Sequence, residues 1–333
     1  MTSLEYMQQL ISQMVPKMAY DENADHETWK KEAHEKMEEL LGLPLPACDD
    51  DFSIVKEEAG EKYKSITFKF QTEPGYYQET TMLVPNTLEK PLPVVICLQG
   101  HSTGAHISLA VPKFDGDPQD IAGGRDFAVR AVEEGFCSIA LEQRYMGANG
   151  QTDSGDPACI KKNACMPSIL VGRTAIGERV WDVHRLIDII EKYLTEYINK
   201  DQIICMGNSG GGTTTFYASC YDERISMSIP SCSVCTYDDS IIAMKHCCCN
   251  YIPNIRKYFD MGDLGCLIAP RPLVVVCGER DKIFPVDGVK KTFEIIKKAY
   301  KKAGKEDLCH LVIGDGGHQF YPDDAWPVAK KMI

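Results

Sequence analysis

The chain has 333 residues, of which 44% are hydrophobic and 25% charged, and this composition is typical of a globular protein with a sizeable core. Its formal charge of −12 and isoelectric point near 5.2 would repel phosphate backbones and anionic lipid, so we expect neither a nucleic-acid nor a membrane partner. The first residues lack a signal-peptide pattern and no segment approaches the roughly 18 apolar residues of a membrane span, so we expect a cytoplasmic protein.

The N-terminal segment, residues 1–42, has a helical pattern. Asp21 or Asp25 is a candidate N-cap, and Gly42 followed by Pro44 is a candidate stop signal. We therefore expect residues 1–60 to form a peripheral helical arm.

A β-hairpin is predicted next. Polar and apolar residues alternate over residues 63–70, and a second extended run covers residues 76–84 after the turn signal Pro74–Gly75. Because one face of the hairpin is polar, we expect it at an edge of the sheet.

The pattern then changes to continuous apolar strands separated by helical segments. Strands are predicted at residues 94–98, 136–141, 203–206, 225–229, 273–277 and 311–313. Helices are predicted at residues 126–134, 177–197, 213–220 and 288–303. Such apolar runs are typical of strands covered on both faces, and their alternation with helices predicts an α/β protein with a doubly wound, mostly parallel sheet.

We expect a single domain over residues 1–333, since no linker or internal repeat divides the chain. Two connections, residues 142–176 and 230–271, are too long to be simple turns. Both fall on the side of the predicted sheet that carries the serine motif described below. We expect them to form active-site insertions, or lids, that determine substrate specificity.

The 15 cysteines are spread through predicted strands and loops of a large chain, so reduced thiols are the expected state. The run His246, Cys247, Cys248 and Cys249 invites a metal interpretation. Adjacent cysteines, however, cannot all turn to one tetrahedral centre as easily as C-x-x-C pairs can. We favour buried structural thiols there and assign no metal ligand and no cofactor.

A nucleophile elbow is predicted at Ser209. The apolar strand that ends at Met206 leads into the sequence Gly-Asn-Ser-Gly-Gly, a match to Gly-x-Ser-x-Gly, and then into a helix of small residues. In such a turn the serine hydroxyl projects from the carboxyl edge of the sheet, and the glycines leave room where a Cβ would clash. A plain strand-to-helix turn is the alternative for this motif taken alone.

A serine hydroxyl needs a base within hydrogen-bond reach, and the base needs an acid to orient it. Asp281 and His318 follow Ser209 in that order, and each lies just past the end of a predicted parallel strand. Other carboxylates that could serve are Glu279, Asp315, Asp238 and Asp239. We favour Asp281 because the Ile-Phe-Pro sequence that follows it can anchor the turn. A surface-loop histidine is the alternative for His318.

Acyl transfer also needs N–H donors for the oxyanion of the tetrahedral intermediate. One candidate is the Gly210 N–H, immediately after the serine. The second should come from residues 99–104, after the strand at residues 94–98, and we assign it to the His101 N–H. A glycine turn without this role remains the alternative for the loop.

With these residues in place, the chain from about residue 93 onward resembles the α/β-hydrolase superfamily, in particular its dienelactone hydrolase and acetyl xylan esterase-like branch of bacterial carboxylesterases. The resemblance also covers the motifs Leu-Glu-Gln-Arg at 141–144, Gly-Arg-Thr-Ala-Ile-Gly-Glu-Arg-Val-Trp-Asp at 172–182, Phe-Asp-Met-Gly-Asp at 259–263 and Ala-Pro-Arg-Pro-Leu at 269–273. It implies Ser209 as nucleophile, His318 as base, Asp281 as acid, and the amides of Gly210 and His101 as the oxyanion hole.

Two departures qualify this resemblance. Many relatives carry His-Gly where this chain has Gln99-Gly100, which affects the geometry of the first oxyanion donor. The dienelactone hydrolases proper use a cysteine nucleophile, so the serine at position 209 argues against that activity.

A charged group near the start of the long helix, Arg144, Arg173, Glu178, Arg179 and Asp182, has two interpretations. It can brace the elbow as an ion-pair network, which we favour, or one arginine can bind a substrate carboxylate. Arg144, Tyr145 and Trp181 are accordingly our candidates for substrate binding, with core or lid packing as the alternative for the aromatic residues.

The sequence thus predicts a serine carboxylesterase that acts on a small-molecule ester, with acetylated carbohydrate as one candidate class. A peptidase of the same fold is the alternative among enzymes, but it would usually carry a further substrate-selecting domain, which about ninety N-terminal residues cannot supply. A non-catalytic binding module on a hydrolase scaffold is the alternative outside the enzymes. The oligomeric state, including a homo-oligomer, stays open.

Overall fold

A twisted sheet of nine strands runs through the part of the chain that this computed structural model describes, residues 1–150 and 154–333. The strands are β1 (Ser53–Ala59), β2 (Tyr63–Glu73), β3 (Tyr76–Pro85), β4 (Leu92–Leu98), β5 (Cys137–Leu141), β6 (Ile198–Asn208), β7 (Ile225–Ser231), β8 (Leu273–Gly278) and β9 (Cys309–Gly314). Their order across the sheet is β1-β2-β3-β5-β4-β6-β7-β8-β9.

The sheet is antiparallel at one end and parallel over the rest. β1, β2, β3 and β5 pair in antiparallel fashion, and β5, β4, β6, β7, β8 and β9 pair in parallel. The six apolar strands predicted from the sequence are all present, and the carboxyl ends of the parallel strands therefore share one edge. The predicted α/β class and mostly parallel sheet are confirmed.

Helices cover both faces of this sheet. They are α1 (Ser3–Ser12), α2 (His26–Leu41), α3 (Asp117–Asp120), α4 (Phe127–Glu133), α5 (Ala158–Lys161), α6 (Met166–Ile169), α7 (Ala175–Tyr193), α8 (Gly210–Tyr221), α9 (Ile255–Tyr258), α10 (Met261–Gly265), α11 (Val286–Lys302) and α12 (Pro322–Ala329). The four helices predicted from the sequence correspond to α4, α7, α8 and α11.

The alternation of side chains along β4 shows how the two covered faces arise. Val94, Ile96 and Leu98 belong to one apolar cluster, which also holds residues of α2, α7, α8 and α11. Val95 and Cys97 point the other way, into a cluster completed by residues of α4 and α12. Since successive side chains of a strand point to opposite faces, one apolar run serves two cores.

The N-terminal helix α2 contributes to the core. Its N-cap is Asp25, whose carboxylate accepts a hydrogen bond from the Thr28 N–H, and it ends at Gly42 with φ of 76°. Trp29, Ala33, Met37 and Leu41, spaced four residues apart, are buried in the larger cluster. The predicted stop is therefore present, but this helix is less peripheral than the sequence suggests, because one stripe of it faces inward.

The edge of the sheet differs from the prediction. The hairpin of β2 and β3 forms as expected, but β1 pairs with β2 and is the outer strand. Every residue of β1 is exposed, and it carries Lys56, Glu57 and Glu58. Without a buried face it lacks the apolar period that identifies a strand in sequence, and its charges suit an edge.

Among the described residues, none of the helices combines the length and the apolar character that a membrane crossing requires.

Candidate active site

Ser209 lies at a sharp turn between β6 and α8. Its backbone adopts φ 56° and ψ −122°, which is a strained conformation for a residue with a side chain. A Cβ on Gly207 would come within 2.6 Å of the Leu98 carbonyl oxygen, and one on Gly211 would come within 2.0 Å of the same atom. Both glycines of the motif are therefore required for the turn to pack against β4, as the elbow prediction implies.

His318 and Asp281 form a hydrogen-bonded pair at the ends of β9 and β8. The distance from His318 Nδ1 to Asp281 Oδ2 is 2.8 Å, and the Asp281 side chain is fully buried. The other oxygen, Oδ1, accepts hydrogen bonds from the backbone N–H groups of Ile283 and Phe284, at 2.8 and 3.2 Å. The Phe284 ring stacks on the His318 ring, with centroids 5.9 Å apart. The Ile-Phe-Pro sequence thus anchors the turn as expected.

Electrostatics favour the ionised form of this carboxylate. Burial opposes its ionisation, but the hydrogen bond and charge of His318 and the two backbone N–H groups hold the pKa of Asp281 below its usual value. An ionised acid at this position can keep the Nδ1–H tautomer of His318 and leave Nε2 free to accept a proton.

The competing carboxylates have other surroundings. Asp238 pairs with Arg256 at 3.2 Å, and Asp239 pairs with Lys291 at 2.9 Å. Within the described residues, the side-chain hydrogen bond of His318 goes to Asp281, and none goes to Glu279 or Asp315.

Ser209 and His318 face one cavity of about 670 Å³, whose wall also includes Gly210 and His101. The two predicted insertions supply further residues of its wall. The first contributes Cys159, Ile160, Lys161 and Asn163, and the second contributes Lys245, His246, Cys247 and Asn250. Both insertions therefore border the cavity that Ser209 faces.

Two backbone N–H groups beside Ser209 are available for an oxyanion. In the described part of the chain, neither the Gly210 N–H nor the His101 N–H makes a hydrogen bond. Gly100 brings its loop close to the elbow, because a Cβ there would lie 2.8 Å from the Asn208 carbonyl oxygen and 3.1 Å from Ser209 Cβ.

Buried polar side chains hold the loop that carries His101 in place. Gln99, which stands where many relatives have histidine, donates from Nε2 to Ser108 Oγ at 2.7 Å and to the Arg125 carbonyl at 2.6 Å. The buried Glu142 accepts hydrogen bonds from the N–H groups of Ala105 and Ala148, at 3.0 and 3.2 Å. Burial raises the pKa of Glu142 to about 7 despite these hydrogen bonds.

The three residues predicted to bind substrate do not line the cavity of Ser209. Arg144 pairs with Asp182 at 2.7 Å and also with Glu73, and it belongs with Tyr145 to a separate surface depression. The Trp181 indole N–H donates to the Thr72 carbonyl at 2.7 Å, and the ring is buried. Arg144, Arg173, Glu178 and Asp182 are joined through Glu73 in one ion-pair network, which favours a structural role over substrate binding for these four residues. Arg179, the fifth member of the group, pairs with no carboxylate among the described residues.

The cysteine run behaves differently from its sequence interpretation. Cys248 forms a disulfide with Cys165, so the expectation of reduced thiols is wrong for this pair. His246 packs edge-on against Phe284, with ring centroids 5.5 Å apart, and burial lowers its pKa. His246 and Cys248 therefore have separate partners, and neither belongs to the group that holds Cys247 and Cys249.

The remaining two cysteines of the run join residues from elsewhere in a cluster that we call the sulfur cluster: His101, Cys159, Cys247 and Cys249. One side-chain atom of each lies within 4.8 Å of the others, and His101 Nε2 is 3.2 Å from Cys249 Sγ. Hydrogen bonds from Cys159 and Cys247 hold the pKa of Cys249 well below its usual value. Burial opposes protonation of His101, yet Cys249 and Cys159 raise its pKa to about 9.

Sequence reasoning missed this cluster because none of its members stands in a C-x-x-C pair. The available signal was that two insertions expected on the same side of the sheet each carry cysteines.

Comparison with known proteins agrees with this architecture. The model of the Abhydrolase family matches residues 1–312. YtaP of Bacillus subtilis (strain 168), whose name assigns it to the hydrolases, is 24% identical over 254 residues, which are 74% of this chain and 77% of that protein.

Solved structures share the fold. A protein of Bacteroides fragilis, named as an acetyl xylan esterase, aligns with a TM-score of 0.78 and 18% identity over 95% of this chain and 82% of that one. A glucuronoyl esterase from Solibacter usitatus aligns with a TM-score of 0.71 and 15% identity over 96% of this chain and 98% of that one.

Proposed function

Because the chain belongs to the abhydrolase family, we propose that it is a serine carboxylesterase with Ser209 as nucleophile, His318 as general base and Asp281 as the orienting acid. One observation carries the proposal. The strained Ser209 shares a cavity with His318, and Nδ1 of His318 lies 2.8 Å from the buried carboxylate of Asp281. This arrangement is the one that acyl transfer through a serine requires.

In the proposed reaction, Ser209 Oγ attacks the ester carbonyl carbon while His318 Nε2 takes its proton. The N–H groups of Gly210 and His101 stabilise the oxyanion of the tetrahedral intermediate. His318 then protonates the departing alcohol, which leaves an acyl group on Ser209. Water, activated by the same imidazole, releases the acid and restores the serine.

For the substrate, we propose the ester of a small acyl group with a carbohydrate. The cavity of about 670 Å³ is in the range of small-molecule sites, and Lys161, Asn163, Lys245 and Asn250 on its walls offer hydrogen-bonding groups to sugar hydroxyls. The name of one solved structure, an acetyl xylan esterase, supports this class. The name of the other, a glucuronoyl esterase, supports a carbohydrate ester in the wider sense, since a glucuronoyl group is itself a sugar acyl group.

The test of the nucleophile is pre-steady-state hydrolysis of p-nitrophenyl acetate together with labelling by a fluorophosphonate probe. We expect a burst of p-nitrophenol and a label on the peptide that contains Ser209. Ser209→Ala should abolish both. Ser219→Ala is the matched control, since Ser219 lies in the same helix with its hydroxyl buried and without a partner among the described residues.

Full turnover in the Ser209→Ala protein, or a label on another residue, would contradict the assignment. The substrate class is tested separately with acetylated xylo-oligosaccharides, a methyl ester of glucuronic acid and p-nitrophenyl esters of increasing chain length. We expect kcat/KM to be highest for a sugar ester. A preference that rises steadily with acyl chain length would instead favour a lipase-like substrate.

A further inference from the structure

The sulfur cluster has the donor set of a metal site. His101, Cys159, Cys247 and Cys249 offer one nitrogen and three sulfurs within 4.8 Å of one another. In tetrahedral zinc sites the Zn–S bonds of about 2.3 Å place the sulfurs about 3.8 Å apart, and Cys₃His is one of the usual structural sets. We propose that these four residues bind a structural zinc ion.

An independent observation is the charge of Arg179. This side chain is 1% exposed, and in the described residues it pairs with no carboxylate. Its Nε and Nη2 donate to the Arg144 carbonyl at 3.1 and 2.9 Å, Nη2 is also 3.8 Å from Cys159 Sγ, and Nη1 has no partner. A buried guanidinium that no carboxylate neutralises is costly unless another negative charge lies beside it.

Zinc bound by three thiolates and a neutral imidazole has a net charge of −1. That charge would lie directly against Arg179 and neutralise it, so the arginine and the metal centre stabilise each other. The three thiols lose their protons when the ion binds, and metal affinity should therefore decrease as the pH falls.

The position of the cluster indicates what the ion does. His101 follows β4, Cys159 belongs to the first insertion, and Cys247 and Cys249 belong to the second. Four protein ligands close the coordination sphere, which is typical of a structural rather than a catalytic zinc. The ion ties both insertions to the loop beside the elbow.

The same position connects the ion with catalysis. The His101 ring packs against the elbow, since a Cβ on Gly210 would lie 2.8 Å from His101 Cε1. Holding that ring also holds the His101 N–H, the second proposed oxyanion donor. This effect on rate rests on the proposed esterase function, whereas metal binding itself does not.

The experiment measures metal content, stability and spectrum on the full chain, purified under reducing conditions without a metal-affinity step. We expect about one zinc per chain by elemental analysis. A strong chelator should remove it and lower the thermal midpoint by about 5 °C, and zinc should restore the midpoint. Cobalt(II) added to the chelated protein should give the visible spectrum of a tetrahedral thiolate site.

Cys159→Ser and Cys249→Ser should lose the zinc, while Cys309→Ser, a buried cysteine of β9 outside the cluster, should retain it. The proposal fails if the wild-type chain neither contains zinc nor gives the cobalt spectrum, or if mass spectrometry shows a disulfide among Cys159, Cys247 and Cys249. The wild-type titration decides the question even if a variant does not fold.

The two proposals can fail separately. Fluorophosphonate labelling of a zinc-free wild-type protein would leave the esterase assignment standing without the metal. Stoichiometric zinc in a chain that the fluorophosphonate probe does not label would leave the metal site standing without the esterase assignment. Ser209→Ala should retain zinc in either case.

Discussion

The two flanks of the serine elbow are built in different ways. On one side, His318 and Asp281 stand at the ends of adjacent parallel strands, β9 and β8, and face each other at 2.8 Å. On the other side, the sulfur cluster is assembled from a loop and two insertions that belong to no common sheet. The ends of two adjacent strands bring His318 and Asp281 together without further support, whereas loops from different parts of the chain need an additional link, such as the proposed zinc ion, to hold a precise arrangement.

Each flank also holds a buried charged side chain, and the two have different partners. Asp281 is balanced by an imidazole and by backbone N–H groups. Arg179 has only a carbonyl oxygen and nearby sulfur as partners in the described part of the chain. Variants on one flank should therefore change activity, and variants on the other should change stability and zinc retention.

The largest effect is expected on the catalytic flank. Asp281→Asn should lower kcat for p-nitrophenyl acetate by about 10⁴-fold, because an amide favours the wrong tautomer of His318 while preserving the shape of the site. Steady-state kinetics over a range of pH will measure it. Asp239→Asn, which removes a partly exposed acid from a different loop, is the control and should stay near wild type. A loss below tenfold in Asp281→Asn would mean that another group orients the base.

The next effect concerns the supporting flank. Arg179→Met should lower the free energy of unfolding by about 3 kcal/mol and weaken zinc retention, because the negative charge of the cluster would lose its buried partner. Urea denaturation measures the free energy of unfolding, and elemental analysis measures the bound zinc. Arg130→Met removes a surface pair with Asp126 and should cost about 1 kcal/mol or less. Unchanged or higher stability in Arg179→Met would show that the cluster carries no negative charge.

Gly210→Ala affects the point at which the two flanks meet. The new methyl group would press on the His101 ring at 2.8 Å and shift an oxyanion donor, so kcat/KM should fall about 100-fold. Gly116→Ala is the matched control, since a Cβ at Gly116 meets nothing within 4 Å. Equal activity in the two variants would indicate that the ring moves freely and that its position does not matter.

The smallest effect is a pH dependence of stability. The folded pKa of Glu142 is raised to about 7 from its ordinary value, so the folded state holds this proton more tightly than the unfolded state does. Glu142 should therefore destabilise the protein by about 2 kcal/mol more at about pH 7 than at about pH 5.

Glu142→Gln should remove this contribution to the change of the unfolding free energy with pH. Urea denaturation at several pH values will measure it. The control is Glu134→Gln, because Glu134 lies in an exposed pair with Lys330. If the unfolding free energy changes with pH identically in wild type and Glu142→Gln, Glu142 stays ionised over this pH range.

Much of the arrangement of Ser209, Asp281 and His318 could be predicted because its signals are local. Gly-x-Ser-x-Gly lies directly after an apolar strand, and the positions of Asp281 and His318 follow from strand ends. The choice of Asp281 over Glu279 rested on the anchoring sequence that follows it. The substrate-binding role of Arg144, Tyr145 and Trp181 was a poorer inference, because sequence proximity to a helix start does not indicate which cavity a side chain faces.

The sequence by itself determined the α/β fold, the two insertions and the edge at which Ser209, Asp281 and His318 meet, because apolar period and turn chemistry act over a few residues. Only the tertiary structure decided that Cys247 and Cys249 turn toward Cys159 and His101 while Cys248 turns toward Cys165. His101 and Cys249 are 148 residues apart, and no local pattern records which loops fold against each other. The inward stripe of α2 and the exposed β1 were decided in the same way, by the neighbours that each element meets.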